Sequence, residues 1–523
     1  MASASSSPPP SPEVEPSAGP AVRASALYLN VFIVAICGLV YELLAGTLGS
    51  YLLGDSVTQF SLVIGLYLSA MGVGAWLSRR IDTDLARRFL EIELAVAIVG
   101  GLSAPVLFVA FGSLEHFQIV LLAFVFAIGV LVGLELPLLM RMLEGQVAFK
   151  DIVSRVLTFD YIGALAASLM FPLLLVPKLG LVRSSLIMGL LNAAVGLWGT
   201  WLLAPRLGRR GVVAVRVRAV VVLIGLLVAL AIADRFTTWA EDEMYIDPIV
   251  FSETTPYQRI VVTQGKSGFQ LFLNGNLQFS SADEYRYHES LVHPAMLAAD
   301  GPPRRVLVLG GGDGLALREI LAHPSVEAVT LVDLDPAMPN LAMGFPPLVG
   351  LNRNSFRDHR VTLVHDDAAV WLEEHPGQFD VIIVDFPDPN TFALGKLYTR
   401  AFYRRVLAHL SPGGAVSIQA TSPLFARKSY WCIVDTVKAA GFAVKPYQVP
   451  VPSFGVWGYV LGKRSEFEQP QHAPKIALRY LNDDALRSMF DMPADMQHVP
   501  VEINQLDNQA LVRYYEREWR KWE

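Results

Sequence analysis

The chain has almost no cysteine: Cys37 and Cys432 are the only two in 523 residues. Two thiols so far apart support neither a disulfide framework nor a thiolate metal site. Dense basic stripes are missing too. The formal net charge is −6, and no Lys/Arg cluster marks the second half, which argues against nucleic acid as a partner. Residues 1–24 contain almost no bulky apolar side chain and are rich in Ser, Pro and Ala, so they are expected to form a disordered tail. They also lack the basic start and apolar core of a secretory signal, so the apolar segment that follows is expected to remain as an anchor.

Long apolar runs dominate residues 25–234. Seven segments approach the length of about 20 residues that a bilayer requires: 25–46, 57–78, 88–110, 116–140, 155–176, 184–204 and 213–233. Gly72, Gly74, Gly100, Gly101, Gly129 and Gly133 suit close helix packing. Glu42, Glu91, Glu93, Glu135 and Asp160 lie in or beside these segments, where an ionised side chain costs roughly 2.5–3.5 kcal/mol on insertion scales. Such acids suit either a path for a polycation or hydrogen bonds between helices. Arginines gather in the loops 79–88, 141–155 and 205–218, which the positive-inside rule assigns to the cytoplasm. With seven full spans that rule would put the second half outside, in conflict with the chemistry read from it below. Either one segment fails to span, the fifth with Asp160 and Pro172 being the suspect, or the charge bias misleads; the donor chemistry read below places the second half in the cytoplasm.

From residue 245 charged residues return, and short apolar strands alternate with helical stretches, the pattern of a doubly wound α/β domain. The stretch RVLVLGGGDGLALRE, Arg305–Glu319, runs from a strand through a glycine turn into a helix. Glycines at 310, 311, 312 and 314 let the backbone approach a ligand at the strand's carboxyl end. Asp313 in the same turn would repel a pyrophosphate at the helix N-terminus and favour a cationic ligand.

Further acids end the neighbouring strands. Asp333 closes AVTLVDLD twenty residues after Asp313, the spacing at which a carboxylate accepts hydrogen bonds from ribose hydroxyls, with Asp335 as the neighbouring alternative. Asp366 and Asp367 end RVTLVHDDA, where a carboxylate can receive an adenine exocyclic amine; each also suits a helix N-cap or a turn. Asp385 and Asp388, three positions apart in FDVIIVDFPDPN, suit a general base and a second ammonium-binding group, or a solvated turn.

The segments TTPYQRIVV, LFLNGNLQFSSADEYRYHESLVHPA, RRVLVLGGGDGLALREIL, LVDLDP, HDDA, FDVIIVDFPDP and PSFGVWGYVL jointly resemble the spermidine and spermine synthases over most of residues 245–465. With the apolar half added, the chain resembles the membrane-bound bacterial branch. The implied architecture is a polytopic α-helical membrane domain (25–234) fused to an α/β domain with a Rossmann-like sheet and N-terminal β-strands (245–465), then a helical extension (466–523). The implied reaction moves an aminopropyl group from decarboxylated S-adenosylmethionine to putrescine, releasing spermidine and methylthioadenosine. No metal and no bound cofactor is implied; the nucleoside is a co-substrate. By matching motif, Gln258 and Asp333 would hold the donor's nucleoside and Asp367 its adenine. Asp313, Tyr287 and His288 would face the aminopropyl chain, Asp385 would be the base, and Asp388 would anchor the acceptor's far amine.

Because ordinary S-adenosylmethionine carries a carboxylate that Asp313 would repel, one residue can select the decarboxylated donor. The stretch VPVPSFG departs from the family's tyrosine-bearing IPTYPSG, so Phe454 or Trp457 would have to replace that ring. NTFALGKLY likewise lacks the family's Gly-Pro turn, which leaves the gate over the donor and the acceptor's identity open. The resemblance further implies a multi-pass protein of the cell membrane with a cytoplasmic catalytic domain, and a homodimer of the kind soluble members form. Two other readings remain: a membrane polyamine transporter or sensor with a non-catalytic binding domain, and an aminopropyltransferase for another amine.

Overall fold

The computed structural model describes residues 24–53, 56–113, 117–144, 148–242, 245–519 and 521; the expected tail lies outside them except for its last residue. The chain divides between residues 244 and 245 into two units.

Apolar length dictates the first unit, which is helical: α1 Ala24–Leu53, α2 Ser56–Ser78, α3 Leu85–Gly101, α4 Ser103–Ser113, α5 Phe117–Leu143, α6 Phe149–Met170, α7 Val176–Leu202 and α8 Ala204–Asp242. Among the described residues six helical stretches are long and apolar enough to cross a membrane. The count falls below seven because the fifth and sixth segments run together as one stretch of 54 residues, Phe149–Leu202. That stretch passes through a π turn at Phe171–Leu175, where Pro172 sits, and bends at Gly180. The glycines do most of what helix packing asks of them. A Cβ at Gly74 would lie 2.1 Å from Val130 O and one at Gly133 2.2 Å from Met71 O, so α2 and α5 meet backbone to backbone. Gly72 is the exception, with nothing within 4 Å of its Cβ position.

The second unit opens with an antiparallel sheet in the order β1 (Ile249–Thr254), β2 (Arg259–Gly265), β3 (Gly268–Leu273), β4 (Asn276–Ser280). A helix, α9 (Glu284–Ala298), then leads to β5 (Arg305–Gly310), β6 (Ala328–Asp333), β7 (Val361–His365), β8 (Phe379–Asp385), β9 (Leu410–Gln419), β10 (Ala443–Val451) and β11 (Gly455–Lys463). These seven form one sheet in the order β10-β11-β9-β8-β5-β6-β7, with β5 to β9 parallel and the β10–β11 hairpin antiparallel at one edge. The apolar runs of β5 and β8 are buried on both faces, as a covered parallel sheet demands. Pro446 and Pro450 fall on the edge strand β10, where a missing N–H is tolerated.

From β5 the chain first builds outward through β6 and β7, then returns to the other side as β8. The strand order therefore reverses at β5, and a crevice opens at the carboxyl ends of β5, β6 and β8. The segment after 465 is mostly not helical: its helices among the described residues are Asp483–Ser488, Ala510–Trp519 and a short 3-10 turn. Pro470, Pro474, Pro493 and Pro500 remove backbone donors along the rest. Buried Glu289 fixes this extension by accepting hydrogen bonds from the backbone N–H groups of Arg479, Tyr480 and Leu481.

Candidate active site

The glycine turn after β5 is shaped by its neighbours on both sides. Gly310, Gly311 and Gly314 all have positive φ, and a Cβ at Gly310 would lie 2.2 Å from Asp385 O, at the end of β8. A Cβ at Gly312 would lie 2.6 Å from Asp333 Oδ2, at the end of β6. Only glycine lets the turn pass between the two strand ends. The same approach brings Asp313, Asp333 and Asp385 around one turn.

Asp385 accepts a 2.6 Å hydrogen bond from the Tyr287 hydroxyl of α9. Asp313 bends back to accept from Leu315 N at 2.8 Å, and His288 Nε2 stands 4.0 Å from its other oxygen. His288 Nδ1 lies 2.9 Å from both the Glu284 carbonyl and the Glu284 carboxylate, so it carries a hydrogen and its Nε2 faces the pocket. Glu284 is in turn gripped by both terminal nitrogens of Arg318 at 2.8 and 2.9 Å, and Arg318 Nε reaches Glu319. This buried ion network sets the orientation of the imidazole.

Electrostatics show carboxylates crowded together out of water. Burial pushes the Asp313 carboxyl up to about 6; His288 opposes the rise and Asp385 adds to it. Burial likewise pushes Asp333 up to about 6, against a hydrogen bond from Asp335 N. Asp385 is raised by burial as well, although His288 and the Tyr287 hydroxyl restrain it. For His288, burial favours the neutral ring, yet Glu284 and the carboxylates of Asp313 and Asp385 outweigh it and lift the pKa to about 9. Like charges crowded out of water are relieved by a positive ligand.

The other expected residues are brought to the same crevice in different states. Gln258 donates its amide to Asp335 Oδ2 at 2.9 Å, and Thr255 donates to the same oxygen at 2.8 Å, so Asp335 locks the β1–β2 connection onto the end of β6. Of the two alternatives, Asp335 is thus occupied and Asp333 is the one that faces the turn. Asp367 caps the helix Ala368–Glu374 through Ala369 N and is ion-paired with Lys396 at 2.5 Å. Burial would raise its carboxyl, but Lys396 and the helix N–H groups hold it below the usual range. Asp366 accepts a hydrogen bond from Asp367 N at 2.7 Å.

Asp388 accepts from Gln419 Nε2 and Thr421 Oγ1, each at 2.9 Å, and from the Tyr515 hydroxyl. Its pKa is still raised, because burial outweighs all three donors. Where VPVPSFG departs from the family pattern, Phe454 stands edge-on to Tyr287 at 6.1 Å and Trp457 packs on Phe454 at 5.0 Å, making an aromatic wall. Asp283 holds that loop through Ser453 N and Oγ. Lys396, Gln419, Thr421, Tyr515, Glu284 and Arg318 were not singled out in the sequence. A buried Arg–Glu pair 34 residues apart leaves no local signal, and Tyr515 reaches the site only through the C-terminal helix.

The spermine/spermidine synthase domain family matches residues 284–471. A polyamine aminopropyltransferase of Leptospira interrogans is 53% identical over 95% of this chain and 99% of its own length. Polyamine aminopropyltransferase 1 of Ralstonia nicotianae is 52% identical over 98% of each chain. The enzyme of that name from Mycobacterium tuberculosis is 38% identical over 96% of this chain and 99% of its own. Among solved structures, a spermidine synthase in complex with the transition-state analogue AdoDATO shares 27% identity, covers 47% of this chain and 85% of its own, and gives a TM-score of 0.44. Near-complete coverage of relatives at such identities settles the family: the chain belongs to the spermidine and spermine synthases and is a polyamine aminopropyltransferase.

Proposed function

We propose that the enzyme transfers the aminopropyl group of decarboxylated S-adenosylmethionine to putrescine, giving spermidine and methylthioadenosine, with Asp385 as general base. The observation that carries this reading is the Tyr287–Asp385 hydrogen bond at 2.6 Å, held at a topological switch point beside His288 and Asp313. Asp333 suits the donor's ribose hydroxyls, with Gln258 beside it through Asp335. Asp367 suits the adenine amine once Lys396 moves aside. Asp313, with His288 and Tyr287 around it, suits the ammonium of the aminopropyl chain, and Asp388 the far ammonium of the acceptor.

The chemistry follows from charge. Putrescine's amines resemble lysine, with pKa values near about 10, so the acceptor arrives protonated and must lose a proton at its reacting end. Asp385 takes that proton. The freed lone pair attacks the methylene beside the sulfonium, a C–N bond forms as the C–S bond breaks, and the thioether leaves neutral. A carboxylate raised by burial is a better base than one in water, and positioning in a closed crevice supplies several kcal/mol of the barrier, so a modest base suffices. His288, a cation at neutral pH, keeps Asp313 ionised before the donor binds.

The helical unit supports placement in the cell membrane, since six of its stretches have the length and composition of spans. The nucleoside donor supports a cytoplasmic side for the catalytic unit. The aromatic wall of Phe454 and Trp457 leaves room for a second reading, in which an amine other than putrescine is preferred. The test is methylthioadenosine release by full-length protein given the decarboxylated donor with putrescine, cadaverine or spermidine. The fastest turnover is expected with putrescine; release with ordinary S-adenosylmethionine at a similar rate would overturn the donor assignment.

A further inference from the structure

The interior of the helical unit contains polar groups that none of the described residues satisfies. Glu93 on α3 and Glu135 on α5 are 0% and 1% exposed, and none of their four carboxylate oxygens has a hydrogen-bond partner among the described residues. The Tyr41 hydroxyl and both polar atoms of Asn192 are equally buried and equally unpartnered.

These groups come from four helices to one level. Glu93 and Glu135 are electrostatic neighbours of each other, and Cys37 and Tyr41 of α1 are neighbours of both. The Tyr41 ring packs where a Cβ of Gly100 would be, two helical turns beyond Glu93 on the same side of α3. Gly196 of α7 has its Cβ position 3.6 Å from Glu93 Cβ, and Gly189 packs on Gly101, so Asn192 between them faces α3 next to Glu93. The Cys37 thiol reaches Met188 O at 3.7 Å and ties α1 to the same part of α7.

We propose that Glu93, Glu135, Tyr41 and Asn192 form a binding site for a protonated aliphatic amine within the helical unit. Six of the seven unpartnered atoms there can accept a hydrogen bond: four carboxylate oxygens, one phenol oxygen and one amide oxygen, with Asn192 Nδ2 the one pure donor. An ammonium brings three donors and one positive charge, and so offsets one of the two carboxylates and fills three of these acceptors. Divalent cations are a poorer fit. Calcium takes 6–8 oxygen ligands, and no group of three or more His, Cys, Asp or Glu side chains among the described residues is placed to hold a metal. Buried acids without partners are otherwise strongly disfavoured, which is why intramembrane carboxylates mark function.

The test uses full-length protein in lipid nanodiscs, titrated with radiolabelled spermidine and, separately, putrescine by equilibrium dialysis without the nucleoside donor. The wild type is expected to bind one equivalent more than Glu93→Gln/Glu135→Gln, while both release methylthioadenosine at rates within twofold, showing that the variant is folded. Tyr41→Phe, a milder change, is expected to weaken the extra site about tenfold, as for one hydrogen bond to a charged group. Equal stoichiometry in the wild type and the double variant would overturn the proposal. So would unchanged affinity in Tyr41→Phe, or displacement of the amine by equal concentrations of sodium or potassium.

Discussion

Asp313→Asn isolates the charge that should choose the donor. The substitution keeps shape, and Oδ1 can still accept from Leu315 N, so the turn is preserved. What is lost is the carboxylate proposed to face the donor's ammonium. A charge-assisted hydrogen bond contributes roughly 1.5–3 kcal/mol, so kcat/KM for the decarboxylated donor should fall about 10- to 150-fold. The carboxylated donor should gain at the same time, because repulsion between like charges is relieved; two unit charges 4 Å apart interact by about 4 kcal/mol at an effective dielectric constant of 20. The ratio of the two kcat/KM values should therefore change more than either value alone.

The same carboxylate predicts a pH signature. Burial raises Asp313 and Asp333 in the free enzyme to about 6, so the folded chain holds protons between pH 4 and 6 that the unfolded chain has released. Stability should consequently fall as pH rises through that interval, on the order of 1–3 kcal/mol per group, and Asp313→Asn should remove part of the slope. The acid limb of kcat/KM for the donor should flatten in the same variant. Denaturant titrations from pH 4 to 7 measure the stability slope, and steady-state kinetics with both donors from pH 5 to 8 measure the rest. A kcat/KM for the decarboxylated donor within threefold of wild type, with the ratio between donors unchanged, would refute the reasoning.

Three other substitutions probe the surroundings. Glu284→Gln leaves the Arg318 guanidinium without its bidentate partner in a buried place, which should destabilise the catalytic unit by about 3–5 kcal/mol in denaturant titrations and lower the His288 pKa. Lys396→Met frees Asp367 from an ion pair between partly exposed groups worth about 0.2–1 kcal/mol, so the donor's KM should fall about 1.4- to fivefold without a change in kcat. Tyr515→Phe removes a donor that holds the Asp388 pKa down, so the acceptor's KM should rise severalfold and the acid limb of its kcat/KM should move to higher pH.

What was legible in the sequence and what was not divides along physical lines. In a parallel α/β sheet every strand delivers its last residue to one edge, so Asp313, Asp333, Asp367 and Asp385 announced themselves by following apolar runs of strand length. The apolar segments of the first unit were likewise readable from length, except that periodicity does not say whether two of them join through a π turn. Contacts between distant elements left no pattern. Asp335 closing on Gln258, Lys396 on Asp367 and Tyr515 on Asp388 are pairings of ordinary residues at separations set by the fold. The prolines after 465 are visible in the sequence, and the helical extension expected there is mostly irregular, with two short helices and a 3-10 turn among the described residues. Phe454 and Trp457, the sequence's candidates to replace a missing ring, pack on each other, with Phe454 edge-on to Tyr287.

The central claim is that Asp385 removes the acceptor's proton, and single-turnover kinetics of Asp385→Asn test it most directly. With donor and putrescine both saturating, the variant should form methylthioadenosine at least 100-fold more slowly than wild type, in line with the loss of a general base, while the donor's dissociation constant stays within about threefold. The deficit should shrink as pH approaches the acceptor's own pKa, because free amine then arrives already deprotonated. A variant that turns over at the wild-type rate near neutral pH would contradict the account and move the base elsewhere in the crevice.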